Sequence, residues 1–366
     1  MKLSDKKWTE FYIGGKNGVF NISSSCSGID KNKLKITEDN LYIPYITRSE
    51  ISNGINQFIS EKQDGKYSID KQNAITIGLD TQALFFQPYV FYTGQNIQVM
   101  RHNCLNKHTA LFLILLLKIQ MKKFNWGGNG ATLGRLAKTR IMLPIDDNSK
   151  PDWQFMEEYT KAIFNKKQQD YKTYVEKSLL KIGDNIKMSA GGGGKWKEFV
   201  LGDIFNIKIG KSINGNKVDK LSGNVPYITR KEVNNGLDGF INYNSDYLYS
   251  NGSVITIGNE TAAPFVQTGR FFTGTKVNIM KAKTKISKEV LFFISQSIKQ
   301  QKNKYSYSIT INSTRLKKQK ILLPVNDKNE PNYLYMEQYI KNIMYKKYNK
   351  YLQVKKYKNA SLSSNF

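Results

Sequence analysis

The feature that most constrains this chain is a sentence it writes twice. Ile43-Pro44-Tyr45-Ile46-Thr47-Arg48, followed by Asn53-Gly54 and Phe58-Ile59, returns 182 positions later as Val225-Pro226-Tyr227-Ile228-Thr229-Arg230, Asn235-Gly236 and Phe240-Ile241. The echo continues at an offset of 180: Ala74-Ile75-Thr76-Ile77-Gly78 answers Val254-Ile255-Thr256-Ile257-Gly258, and Gln87 answers Gln267. Arg135-Leu136 matches Arg315-Leu316, and Ile141-Met142-Leu143-Pro144 matches Ile321-Leu322-Leu323-Pro324. Trp8-Thr9-Glu10-Phe11 recurs as Trp196-Lys197-Glu198-Phe199. Solenoid repeats are far shorter than this, so the period implies two related domains. Each half of a 366-residue chain is long enough to bury its own core.

The order of elements predicted for each half is mixed. Leu201 to Ile207 alternates like a strand, Ser23–Asn40 and Lys208–Gly223 read as polar loops, and the Pro-Tyr-Ile-Thr-Arg block reads as a strand closed by an Asn-Gly turn. Ile75–Ile77 and Val254–Ile257 read as short buried strands, and Phe85–Tyr92 and Phe265–Phe272 as aromatic ones. A helix is expected over about 107–122 and 287–302, then a strand ending at Pro144 or Pro324. Each half closes on a long helical pattern. Met156, Tyr159, Ile163 and Tyr171 in the first, and Met336, Tyr339, Ile343 and Tyr351 in the second, repeat at helical spacing and form an apolar stripe. Two such stripes can pair with each other or pack on their own domains.

The expected architecture is therefore α/β (α+β), with two tandem pseudo-repeated domains and mixed β-sheets. The boundaries are 1–151 for the first domain, 152–186 for a central spacer helix and 187–194 for a Gly-rich linker. The second domain follows at 195–331 and a C-terminal helix at 332–366.

Charge points to the partner. Fifty-six Lys+Arg stand against 29 Asp+Glu, a formal net charge of +27, and such a surface favours a polyanion by counterion release. Cys26 and Cys104 have no counterparts in the repeat, so no disulfide framework is implied. The N-terminus lacks a signal-peptide pattern, and Leu111 to Leu117 is too short an apolar run to span a bilayer. The expectation is a cytoplasmic protein away from the membrane.

Catalytic patterns are weak. No Pro-Pro motif of an amino-methyltransferase loop occurs, and Gly194-Lys195 is followed by Trp196, which no P-loop tolerates. Asp152 with Asp170 and Lys172 makes a nuclease-like string, but on one predicted helix those groups cannot converge on a metal. His102, Cys104 and His108 cluster, yet their counterparts are Ala282, Thr284 and Lys288, so packing is the default over metal binding. The chain is not expected to be an enzyme by itself.

The two halves sort the candidate DNA contacts. Shared Arg48/Arg230 and Arg135/Arg315 suit phosphates or structural hydrogen bonds within their own domains. Positions that differ in matched loops suit base reading: Lys211, Lys217, Lys231, Asn259, Arg270 and Lys276 in the second half, and Gln82 and Arg101 in the first, with Lys31, Asp80 and Gln95.

In this ordered set, written twice, the chain resembles the specificity subunit of type I restriction–modification systems and the similar type IIB subunits. The marks are Trp196-Lys197-Glu198-Phe199 with Leu201-Gly202-Asp203-Ile204-Phe205, the Val225-Pro226-Tyr227-Ile228 block, and Ile321-Leu322-Leu323-Pro324 before a long helix. The resemblance implies two target recognition domains, each reading one half of a split double-stranded DNA site. It implies an antiparallel coiled-coil spacer, two methyltransferase subunits that use S-adenosylmethionine, and in type I systems restriction/translocase subunits. No cofactor is implied in this chain. The competing readings are a stand-alone nuclease or methyltransferase, and a non-specific basic scaffold for nucleic acid.

Overall fold

The computed structural model describes residues 1–36, 41–124, 129–183, 194–305 and 310–363. The chain divides into two compact units, Met1–Tyr171 and Lys172–Phe366.

The first half runs β1 (Trp8–Tyr12), β2 (Asn21–Ser24), β3 (Leu41–Ile46), β4 (Ile55–Ser60), β5 (Ala74–Gly78), β6 (Leu84–Gln87), β7 (Tyr92–Thr93), β8 (Ile97–Arg101), α1 (Lys107–Met121), α2 (Leu133–Lys138), β9 (Arg140–Pro144) and α3 (Trp153–Gly183). The second runs β10 (Trp196–Val200), α4 (Leu201–Ile204), β11 (Phe205–Ile209), β12 (Val225–Ile228), β13 (Leu237–Ile241), β14 (Val254–Gly258), β15 (Pro264–Gln267), β16 (Phe272–Thr273), β17 (Val277–Ala282), α5 (Lys288–Lys299), α6 (Ser313–Lys318), β18 (Lys320–Pro324) and α7 (Tyr333–Ser363).

The topologies match strand for strand. A four-stranded antiparallel sheet has the order β2-β8-β5-β6 in one half and β11-β17-β14-β15 in the other. A three-stranded sheet, β4-β3-β7 or β13-β12-β16, joins its last strand in parallel. The first strand of each half pairs with the last, Trp8 opposite Pro144 and Trp196 opposite Pro324. This brings the start of each half to the root of its long helix.

Residue type explains the elements. All five residues of β5 and of β14 are buried, so these are central strands with no solvent face. β9 and β18 alternate, with Ile141, Leu143, Ile321 and Leu323 turned inward. α1 begins where the Asn106 side chain accepts from the His108 and Thr109 N–H groups, and α5 where Ser287 accepts from Val290. The turn into β4 needs three successive left-handed residues, Ser52, Asn53 and Gly54 at φ 53°, 57° and 76°; Asn234, Asn235 and Gly236 repeat it.

Each half carries its own core. One cluster joins Ile75, Ile77, Met100, Leu113, Leu136, Ile141 and Met156; the other joins Ile255, Ile257, Met280, Phe293, Leu316, Ile321 and Met336. Each such side chain, buried, contributes about 1.5–3 kcal/mol.

Three sequence expectations need correction. Leu201–Ile204 is a helical turn rather than the start of a strand, because Leu201 and Ile204 are buried on one side at i,i+3 and the Leu201 N–H bonds the Gln319 carbonyl. The aromatic stretch Phe85–Tyr92 is two strands in two different sheets, broken at Pro88, which has no N–H for a ladder; Phe265–Phe272 breaks likewise at Thr268–Gly269. The helix expected over 287–302 ends at Lys299, and Lys302–Lys304 is a separate 3-10 turn. The Gly-rich linker, up to Ala190-Gly193, lies outside the described residues.

The long helices also divide their work differently from the simple stripe. Met156 and Met336 are fully buried in the cores of their own halves. Tyr159 stacks on Phe155 and meets Phe112 edge-on, and Tyr339 does the same with Tyr335 and Phe293. Ile163, Tyr171 and Ile343 are exposed, and Tyr351 is half-buried. Beyond Tyr171 the helix belongs to the second unit, where Val175 is fully buried and the Tyr174 ring meets Tyr348 of α7 edge-on at 6.2 Å. Val175 is absent from the stripe read in the sequence.

Candidate nucleic-acid interface

Each half gathers three loops at the end of its central strands. The arginine after the Pro-Tyr-Ile-Thr strand ion-pairs with an acid in the turn that follows the next buried strand: Arg48 with Asp80, and Arg230 with Glu260. The glycine closing that strand makes room for the pair, since a Cβ on Gly258 would stand 2.9 Å from the Arg230 Cα. The third loop joins by main chain, with the Leu79 N–H donating to the Asn96 carbonyl and the Asn259 N–H to that of Lys276, both at 3.0 Å. Asn96 and Lys276 occupy the same left-handed position, at φ 61° and 58°. Lys276 then reaches Glu260 at 3.3 Å.

Upon this shared frame the exposed residues differ. In the first half a cavity of about 200 Å³ brings Asp30, Lys31, Thr47, Arg48 and Gln95 together. The matched frame in the second half has Gly215 and Thr275 where Lys31 and Gln95 stand, and Ala262 for Gln82. The arginine is shared and its neighbours are not.

The remaining candidates are placed as follows. Gln82, at φ 55°, spends its amide on the carbonyls of Leu79 (3.0 Å) and Asp80 (2.7 Å), shaping its own turn. Arg101 pairs with the buried Asp70 at 3.3 Å and donates to the Lys71 carbonyl at 2.7 Å. Arg135 and Arg315 donate to the carbonyls of Gly130 and Thr310, bracing the loops before α2 and α6. Asn259 is held by the buried Asn278. Lys231 and Lys220 both pair with Asp238; burial pushes that carboxyl up, but the two lysines outweigh it and hold it below the usual carboxylate range. Lys211, Lys217 and Arg270 are exposed and form no ion pair among the described residues. Arg48 spends one of its five donors on Asp80 and stays 42% exposed, so it can still take a phosphate.

The other chemical candidates are occupied structurally. Asp152 caps α3 by accepting from the Phe155 N–H at 2.9 Å and pairs with Lys6 at 2.6 Å. Asp170 lies 18 residues further along that helix, about 27 Å away at 1.5 Å per residue. His102 stacks on Trp153 at 4.1 Å, and His108 meets Phe164 edge-on at 5.7 Å. Among the described residues no His, Cys, Asp and Glu cluster could hold a metal, and no helix is long and apolar enough to cross a membrane.

The same frame is thus built twice around one arginine, with different residues beside it. Residues 5–172 and 193–356 each match the type I restriction modification DNA specificity domain, and the chain belongs to that family. Among curated relatives, the type II restriction enzyme BgcI specificity subunit S.BcgI of Heyndrickxia coagulans is 47% identical over 151 residues, 41% of this chain and 44% of that protein. Among solved structures, the type I restriction–modification S subunit from M. genitalium covers 100% of this chain and 95% of its own at 14% identity and a TM-score of 0.38. The HsdS subunit from Thermoanaerobacter tengcongensis covers 93% of each chain at 11% identity and 0.31.

Proposed function

We propose that the chain is the sequence-specific DNA-binding subunit of a restriction–modification complex, each half reading one half of an asymmetric, split site. The observation that carries this reading is the twofold frame: Arg48–Asp80 and Arg230–Glu260 are constant, while Lys31 and Gln95 in the first half stand where the second has Gly215 and Thr275. Shared cations hold the backbone of double-stranded DNA, and the differing side chains select bases, so the two half-sites differ.

On this reading the chain performs no chemistry. It directs two methyltransferase subunits, which carry S-adenosylmethionine, and in a type I assembly restriction/translocase subunits as well. In this proposal α3 and α7 pair antiparallel as a coiled-coil spacer, and the contact of Tyr174 with Tyr348 supports the two helices meeting. An apolar groove of about 720 Å³ between α5 and α7, lined by Trp196, Leu322, Tyr339 and Ile343, suits a partner subunit. Trp8, Met142, Tyr159 and Ile163 hold the equivalent positions in the first half, in keeping with two copies of one partner.

The test is a genome-wide map of methylated bases in the host with and without the gene. Loss of one split motif with an undefined spacer upon deletion is the expected result. An unchanged map in a host whose partner methyltransferase is expressed sinks the reading. Exchanging residues 1–151 for another recognition domain should then change one half-site only.

A further inference from the structure

The faces of β11 and β17 beside α4 and α6 carry a pocket. It measures about 630 Å³ and is lined by Lys208, Lys281, Lys283 and Lys317, with Asp203 as its one carboxylate. Register places Lys208 and Lys281 on one face, because Asn206 stands opposite Lys281 and Lys208 opposite Ile279, while Phe205, Ile207 and Met280 turn into the core; Lys283 follows β17 directly, and Lys317 comes from α6. All four lysines are exposed, and none forms an ion pair among the described residues. Tyr249 also lines the pocket. Its ring is fixed against Phe271 at 5.0 Å, and its hydroxyl is buried without a hydrogen-bond partner.

The internal repeat shows what stands at the corresponding place in the first half. Tyr249 bridges to Phe271 as Asp70 bridges to Phe91, and Asn206 pairs with Lys281 as Asn21 pairs with Arg101. In the first half the buried Asp70 carboxylate accepts from Arg101 at 3.3 Å and from the Cys26 N–H at 3.0 Å, so an anion of the chain itself neutralises the cation. In the second half that internal anion is replaced by a phenol, the cation is kept as Lys281, and further lysines surround it.

We propose that this pocket binds a phosphate group, which supplies the negative charge that Asp70 supplies in the first half. The ammonium groups supply charge, and the Tyr249 hydroxyl donates to a phosphate oxygen once the side chains that cover it move aside on binding. The phosphate is either free, as in a pyrophosphate or nucleotide, or part of a DNA backbone. Only the second source rests on the function proposed above.

The test uses the full-length protein beside Lys281→Gln/Lys283→Gln and Tyr249→Phe. Inorganic pyrophosphate is titrated calorimetrically, and binding of a duplex carrying the mapped site is followed against salt. Pyrophosphate binding that falls at least about tenfold in the lysine variant and weakens in Tyr249→Phe assigns a free phosphate ligand. A slope of log K against log salt that falls by about one to two in the lysine variant assigns a backbone phosphate. If neither quantity moves, the proposal is overturned. Wild-type protein that binds pyrophosphate but no DNA would sink the specificity reading and leave this pocket standing.

Discussion

Gln87 donates through its amide to the hydroxyl of Thr76 across the β5–β6 pair at 3.1 Å, and Gln267 donates to Thr256 at the same distance. The same amide also bonds the main chain of the left-handed turn, at the Asn53 carbonyl (3.2 Å) and the Asn235 carbonyl (3.0 Å). Asn53 and Asn235 reply through their own side chains to Gln87 and Gln267. One buried amide in each half thus ties the three-stranded sheet's turn to the central sheet. Gln87→Leu leaves Thr76 and Asn53 short of partners and is expected to destabilise the protein by about 1–3 kcal/mol. A urea denaturation midpoint equal to that of the wild type would contradict this.

The helix root gives a pH-dependent expectation. Burial pushes the Asp152 carboxyl up, but Lys6 and the Phe155 N–H outweigh it, so the group sits below its ordinary value of 3.8. A depressed acid stabilises the fold above the unfolded-chain value and loses that contribution as pH falls through the folded one. The window therefore opens near pH 3.8 and extends downward. Asn332 holds the same place in the second half and caps α7 by accepting from Tyr335 at 3.0 Å, with no charge. Asp152→Asn should keep the cap and flatten the acid dependence of thermal unfolding. Asp152→Ala should lose the cap as well, at about 0.5–2 kcal/mol.

Arg48 and Gln95 should separate by readout. Arg48→Ala is expected to weaken binding to all DNA sequences and to lower the salt slope by about one. Substituting Gln95 or Lys31 should alter preference in one half-site by about 1–3 kcal/mol per base lost, with the other half-site unchanged. Binding measured on a library of duplexes checks both, and a change in both half-sites from either loop variant is the opposing result.

Val175 anchors the far end of α3 within the second unit. Truncation to alanine removes a fully buried side chain and should cost about 1–3 kcal/mol. Tyr171→Ala, on an exposed neighbouring turn, should cost less in the same denaturation experiment.

Much of this fold was legible in the residues themselves. Repetition of Pro44-Tyr45-Ile46-Thr47 announced two domains, Asn53-Gly54 announced a turn, and the long helices begin at Trp153 and Tyr333, one residue inside the expected starts. What escaped depends on distant partners. The acid that holds Arg48 is 32 residues away, and nothing local marks Asp80 as its mate. Leu201–Ile204 looked extended because Leu201, Phe205 and Ile207 alternate, and the contact with Gln319 that favours a helical turn lies on another element. Val175 falls outside the stripe begun at Met156 because it lies about 100° round the helix from it. At the interface the sequence could name cations but not their occupancy, and Arg101, Lys231 and Lys276 each answer a carboxylate of the same half.

Among the described residues no apolar cluster draws on both halves; each is assembled wholly from its own repeat. A mutation that remodels one set of loops therefore leaves the packing of the other untouched. Each half thus has separate packing constraints, and substitutions in one set of core residues need no compensation in the other.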